Sequence, residues 1–258
     1  MRSRIAKEIK LAYEPVAIVF TDEAPEEALR FQPGRWGCVV AMLTAATKGK
    51  TAVFDRDTCG CAGGKAGLGF GGYAEGGSHG GIEYFLSTGR GEGYPPGERY
   101  KQTPELAKEF IEGLPTRDIP FAYIVFKPLS AVDSAVETPR QIVFYANPDQ
   151  LTALIVLANF DRPGSENVII PFSSGCQSIG IIPYREAELH PSHAVVGMVD
   201  VSARPYVDPD ILSFTVPYAM FEEMESHVDE SFLHTHAWQK VKVRIPDPQE
   251  YASGDANE

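Results

Sequence analysis

The chain has 258 residues, 43% hydrophobic and 22% charged, the balance of a soluble globular protein able to bury a real core. Its formal net charge is −12 and its 23 basic residues form no run, so neither nucleic acid nor an anionic membrane is expected as a partner. No apolar run approaches the roughly 18 residues of a membrane helix. Residues 1–8 lack the apolar stretch of a signal peptide, and the expected setting is cytoplasmic.

In chain order, residues 3–13 place Ile5, Ile9 and Ala12 among Lys7, Glu8 and Lys10, the spacing of a short amphipathic helix that Pro15 ends. Residues 16–20 are a continuous apolar run of buried-strand length, and residues 22–33 are an acidic surface connection. Residues 39–49 read as a small-residue helix closed by Gly49. Cys38 therefore stands at a helix N-terminus, where free N–H groups favour a thiolate. Residues 51–54 are a strand that delivers the chain to Cys59.

Fourteen of the 24 glycines fall between Gly60 and Gly93, a concentration whose entropic cost calls for a ligand as compensation. The stretch is expected to be a glycine-rich, cysteine-bearing loop, with Gly60, Gly63, Gly64 and Lys65 as cofactor contacts. Gly67 to Gly72 matches the dinucleotide pattern by letter, but the preceding strand lies too far upstream. Ala66 stands where a P-loop needs Ser or Thr, so nucleotide binding is not expected.

Residues 82–86 make a helical turn or a short strand, and residues 89–101 a loop softened by Gly89, Gly91, Gly93 and Gly97. Its Arg90, Tyr94, Arg99 and Tyr100 could cover an anionic ligand as a flap. Thr103 and Pro104 open a helix that Gly113 closes. Residues 121–126 and 141–145 are strands, and Asn147 with Gln150 starts a buried helix. Residues 168–170 read as a strand leading to a polar loop, 171–177, that carries Cys176. Residues 179–182, 194–201 and 211–216 are apolar segments of strand length. Pro217 and Asp229 introduce helices, residues 240–245 read as a half-exposed strand, and a frayed tail follows from Asp247. No internal repeat is visible. The expected fold class is α+β, a mixed sheet with flanking helices in a single compact domain over residues 1–246, with a composition shift near residue 116 where a lobe boundary would fall.

Four cysteines are too few for a disulfide scaffold. Cys38, Cys59, Cys61 and Cys176 sit at three separate element ends, and if they converge their soft thiolates select an iron–sulfur cluster, zinc or copper(I). C-x-C with two distant single cysteines is not the paired knuckle of structural zinc, whereas a cluster tolerates dispersed ligands. The expected centre is a 4Fe–4S cluster; zinc, a redox or catalytic thiol, and inert buried cysteines are the alternatives. Either Cys59 or Cys61 could be a spectator. His234 and His236 fall on different helix faces, His190 and His193 flank Pro191, and His79 lies alone in the glycine stretch; none forms the i, i+4 metal pair. Lys65 and Arg90 are the cations best placed to meet an anion.

Cys38 before a small-residue helix, Cys61-Ala62-Gly63-Gly64 followed by Leu68-Gly69-Phe70, and Gly175-Cys176-Gln177 together resemble domain-of-unknown-function family 169, over most of the chain. The family is found mainly in archaea and anaerobic bacteria, and the resemblance implies a cytoplasm that can keep an oxygen-sensitive centre. It brings no established activity. The expectation is a metal-binding protein with redox or Lewis-acid chemistry on a small ligand, its partners that ligand or a redox protein. The alternative is a non-redox module holding a small anionic metabolite in the glycine-rich loop.

Overall fold

The computed structural model describes residues 1–72 and 81–248. The elements run α1 (Arg4–Glu8), β1 (Val16–Thr21), α2 (Val39–Thr47), β2 (Ala52–Asp55), α3 (Ala62–Leu68), α4 (Ile82–Phe85), α5 (Pro104–Gly113), β3 (Tyr123–Pro128) and β4 (Gln141–Ala146). They continue with α6 (Pro148–Leu157), β5 (Val168–Ile169), α7 (Gly175–Ile179), α8 (Ile181–Glu186), β6 (Ala194–Gly197), β7 (Leu212–Pro217), α9 (Tyr218–Ser226) and α10 (His236–Lys242). The seven strands form one mixed sheet in the order β2-β3-β1-β4-β7-β6-β5, in which β5 and β6 are parallel and the other pairs antiparallel. The fold is α+β, as expected.

Local chemistry explains most boundaries. Asn147 and Gln150 cap α6 reciprocally, with each side chain bonded to the other's amide at 3.0 Å. Thr103 accepts from Leu106 at the start of α5, with Pro104 in the first turn. Lys10, at φ 53°, turns the chain out of α1 before Pro15 is reached.

Four expectations are corrected. The glycine-rich stretch after Cys61 is helical over Ala62–Leu68, because Ala62, Lys65, Ala66 and Leu68 supply enough helix propensity between its glycines. Cys176 lies in α7 rather than in a loop, since Ser174 and Gln177 form a capping box around it. The run 179–182 is the junction of α7 and α8; Ile179 and Ile181 are fully buried, and a run apolar on every side carries no period to separate helix from strand. Residues 240–242 end α10, which Trp238 anchors in the core and which begins at His236 with Thr235 as its cap rather than at Asp229, because Asp229 lies in the turn that follows α9. His79 and most of the expected tail lie outside the described residues.

The sheet's pairing repeats about its middle. Val16 opens β1 opposite Pro128, the end of β3, and Gln141 opens β4 opposite Pro217, the end of β7; each ladder has six residue pairs. Ala52 of β2 faces Phe126, two residues before Pro128, and Val195 of β6 faces Thr215, two residues before Pro217. Where the halves meet, Val16 pairs with Val143, Ala17 with Ile142 and Ile18 with Gln141, a register that maps onto itself when the two strands are exchanged. The β2-β3-β1 and β6-β7-β4 units are thus related by a pseudo-two-fold axis at Ala17 and Ile142.

Helices cover both faces. Ala17, Ile142, Phe144, Val196, Phe214 and Val216 pack beneath α1, α6, α9 and α10. Val16, Ile18, Val143 and Tyr145 pack beneath α2, α3 and α7 on the other face. Each fully buried large side chain contributes roughly 1.5–3 kcal/mol relative to exposure. Cys38, Cys59 and Cys176 pack on the second face, and Cys61 caps the α3 that covers it.

Candidate metal centre

The geometry starts at the glycines. A Cβ on Gly60 would stand 2.5 Å from the Gly37 amide nitrogen, so the residue before Cys38 and the residue between Cys59 and Cys61 are in backbone contact. A Cβ on Gly64 would stand 2.8 Å from Val39 Cγ2, 3.1 Å from Cys61 Sγ and 3.5 Å from Cys59 Sγ. One turn on, a Cβ on Gly67 would stand 2.6 Å from Cys176 Cβ. The bare face of α3 therefore lies against the start of α2 and against α7, and no other residue type lets helices approach so closely. This packing accounts for Gly60, Gly64 and Gly67 without a bound ligand. Gly63 meets nothing within 4 Å of where its Cβ would be.

Three helix starts carry the sulfurs. Cys38 is the N-cap of α2, and Cys61 is the N-cap of α3, with its Sγ accepting from the Gly64 amide at 3.1 Å. Cys176 is the second residue of α7 and is buried. Cys59 follows a turn fixed by Asp55, whose carboxylate accepts from the Asp57 and Thr58 amides and the Thr58 hydroxyl. Cys176 lies within electrostatic range of the other three sulfurs. Burial pushes the Cys176 thiol well up, and the charges of Cys61, Cys38 and Cys59 push it further. Burial raises Cys61 and Cys38 as well, with Cys38 among the neighbours of Cys61. Cys59 is pushed up to about 12, by burial first and by Cys61 next, with Lys65 acting in the opposite direction.

A carboxylate completes the surroundings. Asp200, 9% exposed, accepts from the Gly175 amide at 3.3 Å, the Ser202 amide at 3.0 Å and the Ser202 hydroxyl at 2.8 Å, and its charge acts on Cys38, Cys61 and Cys176. The Tyr100 hydroxyl accepts from the same Ser202 amide at 3.0 Å, which brings the 89–101 loop to this side of the molecule. Tyr145 packs below, bonded to Thr44 at 3.2 Å and within range of Cys38 and Cys176. Beside Cys176, Gln177 Nε2 is buried and has no hydrogen-bond partner among the described residues. Sequence reading missed Asp200 and Tyr145, since a single Asp or Tyr in an apolar segment carries no pattern; the sequence signal available was an acid inside the run Met198-Val199-Asp200-Val201.

A family model described as an uncharacterised ArCR, DUF169, matches residues 4–227, which takes in all four cysteines and Asp200. The chain belongs to the DUF169 family. No curated protein and no solved structure matches it. In this DUF169 chain the cysteine-bearing segments read from the sequence are the ones the fold brings together. Among the described residues, no group of three or more His, Cys, Asp or Glu side chains is arranged to hold a single ion, and no helix is long and apolar enough to cross a membrane. His234 stands elsewhere, within range of Glu8 and Asp229 beside α1. Arg90 lies over the rings of Tyr84 and Tyr94, 5.4 Å from each centroid.

Proposed function

We propose that Cys38, Cys61, Cys176 and Cys59 bind an iron–sulfur cluster, of the 4Fe–4S type, and that the protein uses it for redox or Lewis-acid chemistry on a small ligand or with a redox partner protein. The observation that supports this reading is that the segments bearing the four cysteines pack against one another, the start of α3 against the start of α2 and against α7. The residues fit the group. Soft sulfur donors suit iron–sulfur and iron–thiolate bonding. The glycine face of α3 leaves the sulfurs uncrowded, and Gln177 Nε2 is a spare donor for a sulfide. When bound, a cluster supplies an electron store or an electrophilic iron.

The state of the thiols favours metal over nucleophilic catalysis. Reactive cysteines have depressed pKa values, whereas burial holds all four thiols here above their ordinary value. Metal coordination removes those protons and compensates the desolvated sulfurs. Purification without oxygen, followed by iron, zinc and acid-labile sulfide analysis, tests the proposal. Brown protein with iron and sulfide, lost in Cys61→Ala and reduced in Cys59→Ala, is the expected result. Zinc alone would replace the cluster by a mononuclear site, and colourless, metal-free protein would leave the thiols or an anionic ligand as the readings to pursue.

A further inference from the structure

We infer that Asp200 is a positioning residue of the cysteine centre: it holds the start of α7, and so Cys176, in the orientation the centre requires, and sets a negative charge beside three of the four sulfurs. The inference rests on the cluster reading above. Its first support is geometric. Asp200 Oδ2 accepts from the amide of Gly175, the residue directly before Cys176, and Oδ1 accepts from both the amide and the hydroxyl of Ser202. Those partners are two amides and a hydroxyl, none of them charged. A carboxylate so nearly buried is costly when no opposite charge compensates it. Ser174 and Gln177 form the capping box of α7, and Asp200 takes the Gly175 amide that this box leaves free, which ties the carboxylate to the turn that carries Cys176.

The second support is placement. The charge of Asp200 acts on Cys38, Cys61 and Cys176, and that of Asp55 on Cys59, while the bond to Gly175 fixes Asp200 next to Cys176 along the chain. Outer partners that orient metal ligands in this way change affinity by about 10–100-fold when removed. A fixed negative charge beside a cluster also resists the electron that reduction adds, so its removal should raise the midpoint potential.

The test uses the full chain reconstituted without oxygen with ferrous iron and sulfide, and compares wild type with Asp200→Asn and Asp200→Glu. Midpoint potential is read by optical titration, cluster retention by challenge with a chelator, and folding by thermal melting of the metal-free protein. The expected result is a higher potential and about 10–100-fold weaker retention in Asp200→Asn, with the potential returning toward wild type in Asp200→Glu. Ser202→Ala, which leaves α7 untouched, serves if Asp200→Asn does not fold. It removes a donor that offsets the Asp200 charge and should lower the potential. A loaded wild type whose potential and retention are matched by Asp200→Asn, or by Ser202→Ala in its place, overturns the inference alone. A wild type that takes up neither iron nor sulfide overturns the cluster reading and this inference with it.

Discussion

Cys61 Sγ accepts the Gly64 amide hydrogen at 3.1 Å, and the space a Gly64 side chain would fill is bounded by that same sulfur and by Cys59 Sγ. Gly64 is therefore both a donor to the centre and the gap that leaves room for it. Gly64→Ala gains about 1 kcal/mol of helix propensity and loses about 1–3 kcal/mol to overpacking against Val39 and the sulfurs. The expected outcome is a modest net loss of stability in urea unfolding, with a clear loss of iron per chain. Full iron occupancy in this variant would mean that the Cys61 sulfur can move without consequence.

The neighbouring glycines should respond in opposite directions. Gly63 faces open space, so Gly63→Ala is expected to stabilise by roughly 0.4–1 kcal/mol and to leave iron content unchanged. At Gly67 a Cβ would meet the backbone of Cys176 and Gln177 at 2.9 Å, and α7 would have to retreat. Gly67→Ala should cost about 3 kcal/mol. Comparison of the two melting curves checks this, and a Gly63→Ala variant that lost a bound anion would instead support the metabolite reading.

The pH dependence of the metal-free protein follows from its thiols. With Cys59 at about 12 and ordinary thiols near about 8.5, alkylation of Cys59 at pH 8 should be about a hundredfold slower than in urea-unfolded protein, even after allowance for the greater intrinsic nucleophilicity of a high-pKa thiolate. Its rate should still rise at pH 10. A thiol whose folded pKa is raised contributes stability that is whole below its unfolded value and is lost as the pH climbs through the folded value. Denaturant midpoints of the metal-free protein should accordingly fall above about pH 8.5. Mass spectrometry of labelled peptides and urea titrations at stepped pH measure both effects.

The 89–101 loop is tied down along its second half. Glu98, Arg99 and Lys101 donate to the Phe85, Ser87 and Leu86 carbonyls at 2.7, 3.0 and 2.9 Å, and Tyr100 reaches Ser202. Motion as a flap would therefore have to take α4 along or be confined to the tip near Gly91 and Gly93. Hydrogen exchange at Glu98, Arg99 and Lys101 should be slow in the ligand-free protein, and exchange at Gly93 fast. Uniformly fast exchange from Gly89 to Lys101 would restore the freely hinged loop.

What the sequence made legible was whatever carried a local period or cap. β1 and most of β4 are continuous apolar runs, β7 alternates Leu212, Phe214 and Val216 with Ser213 and Thr215, and α5 and α6 announce themselves by Thr103-Pro104 and Asn147-Pro148. The cysteine segments were legible as chemistry, yet the glycines among them were assigned to a loop around a ligand when most of them serve helix packing. That distinction depends on Cys176, which is remote in sequence and adjacent in space. The paired halves left no trace in the letters because only backbone register repeats: Val16 corresponds to Gln141, and Ala52 to Val195.

The pseudo-two-fold seam also has an outcome for how the chain could be divided. β1 and β4 join the halves of the sheet through three residue pairs, in the self-complementary manner of an isologous contact between identical subunits. The turn linking those halves is exposed, with Val136 at 80%. Six of its seven strands are arranged as a homodimer of half-length chains would arrange them, here written into a single polypeptide. Two fragments separated at Val136 should therefore recognise each other on mixing and restore the sheet, and a cysteine site assembled from Cys38, Cys59 and Cys61 of one fragment and Cys176 of the other would report their reunion by its colour.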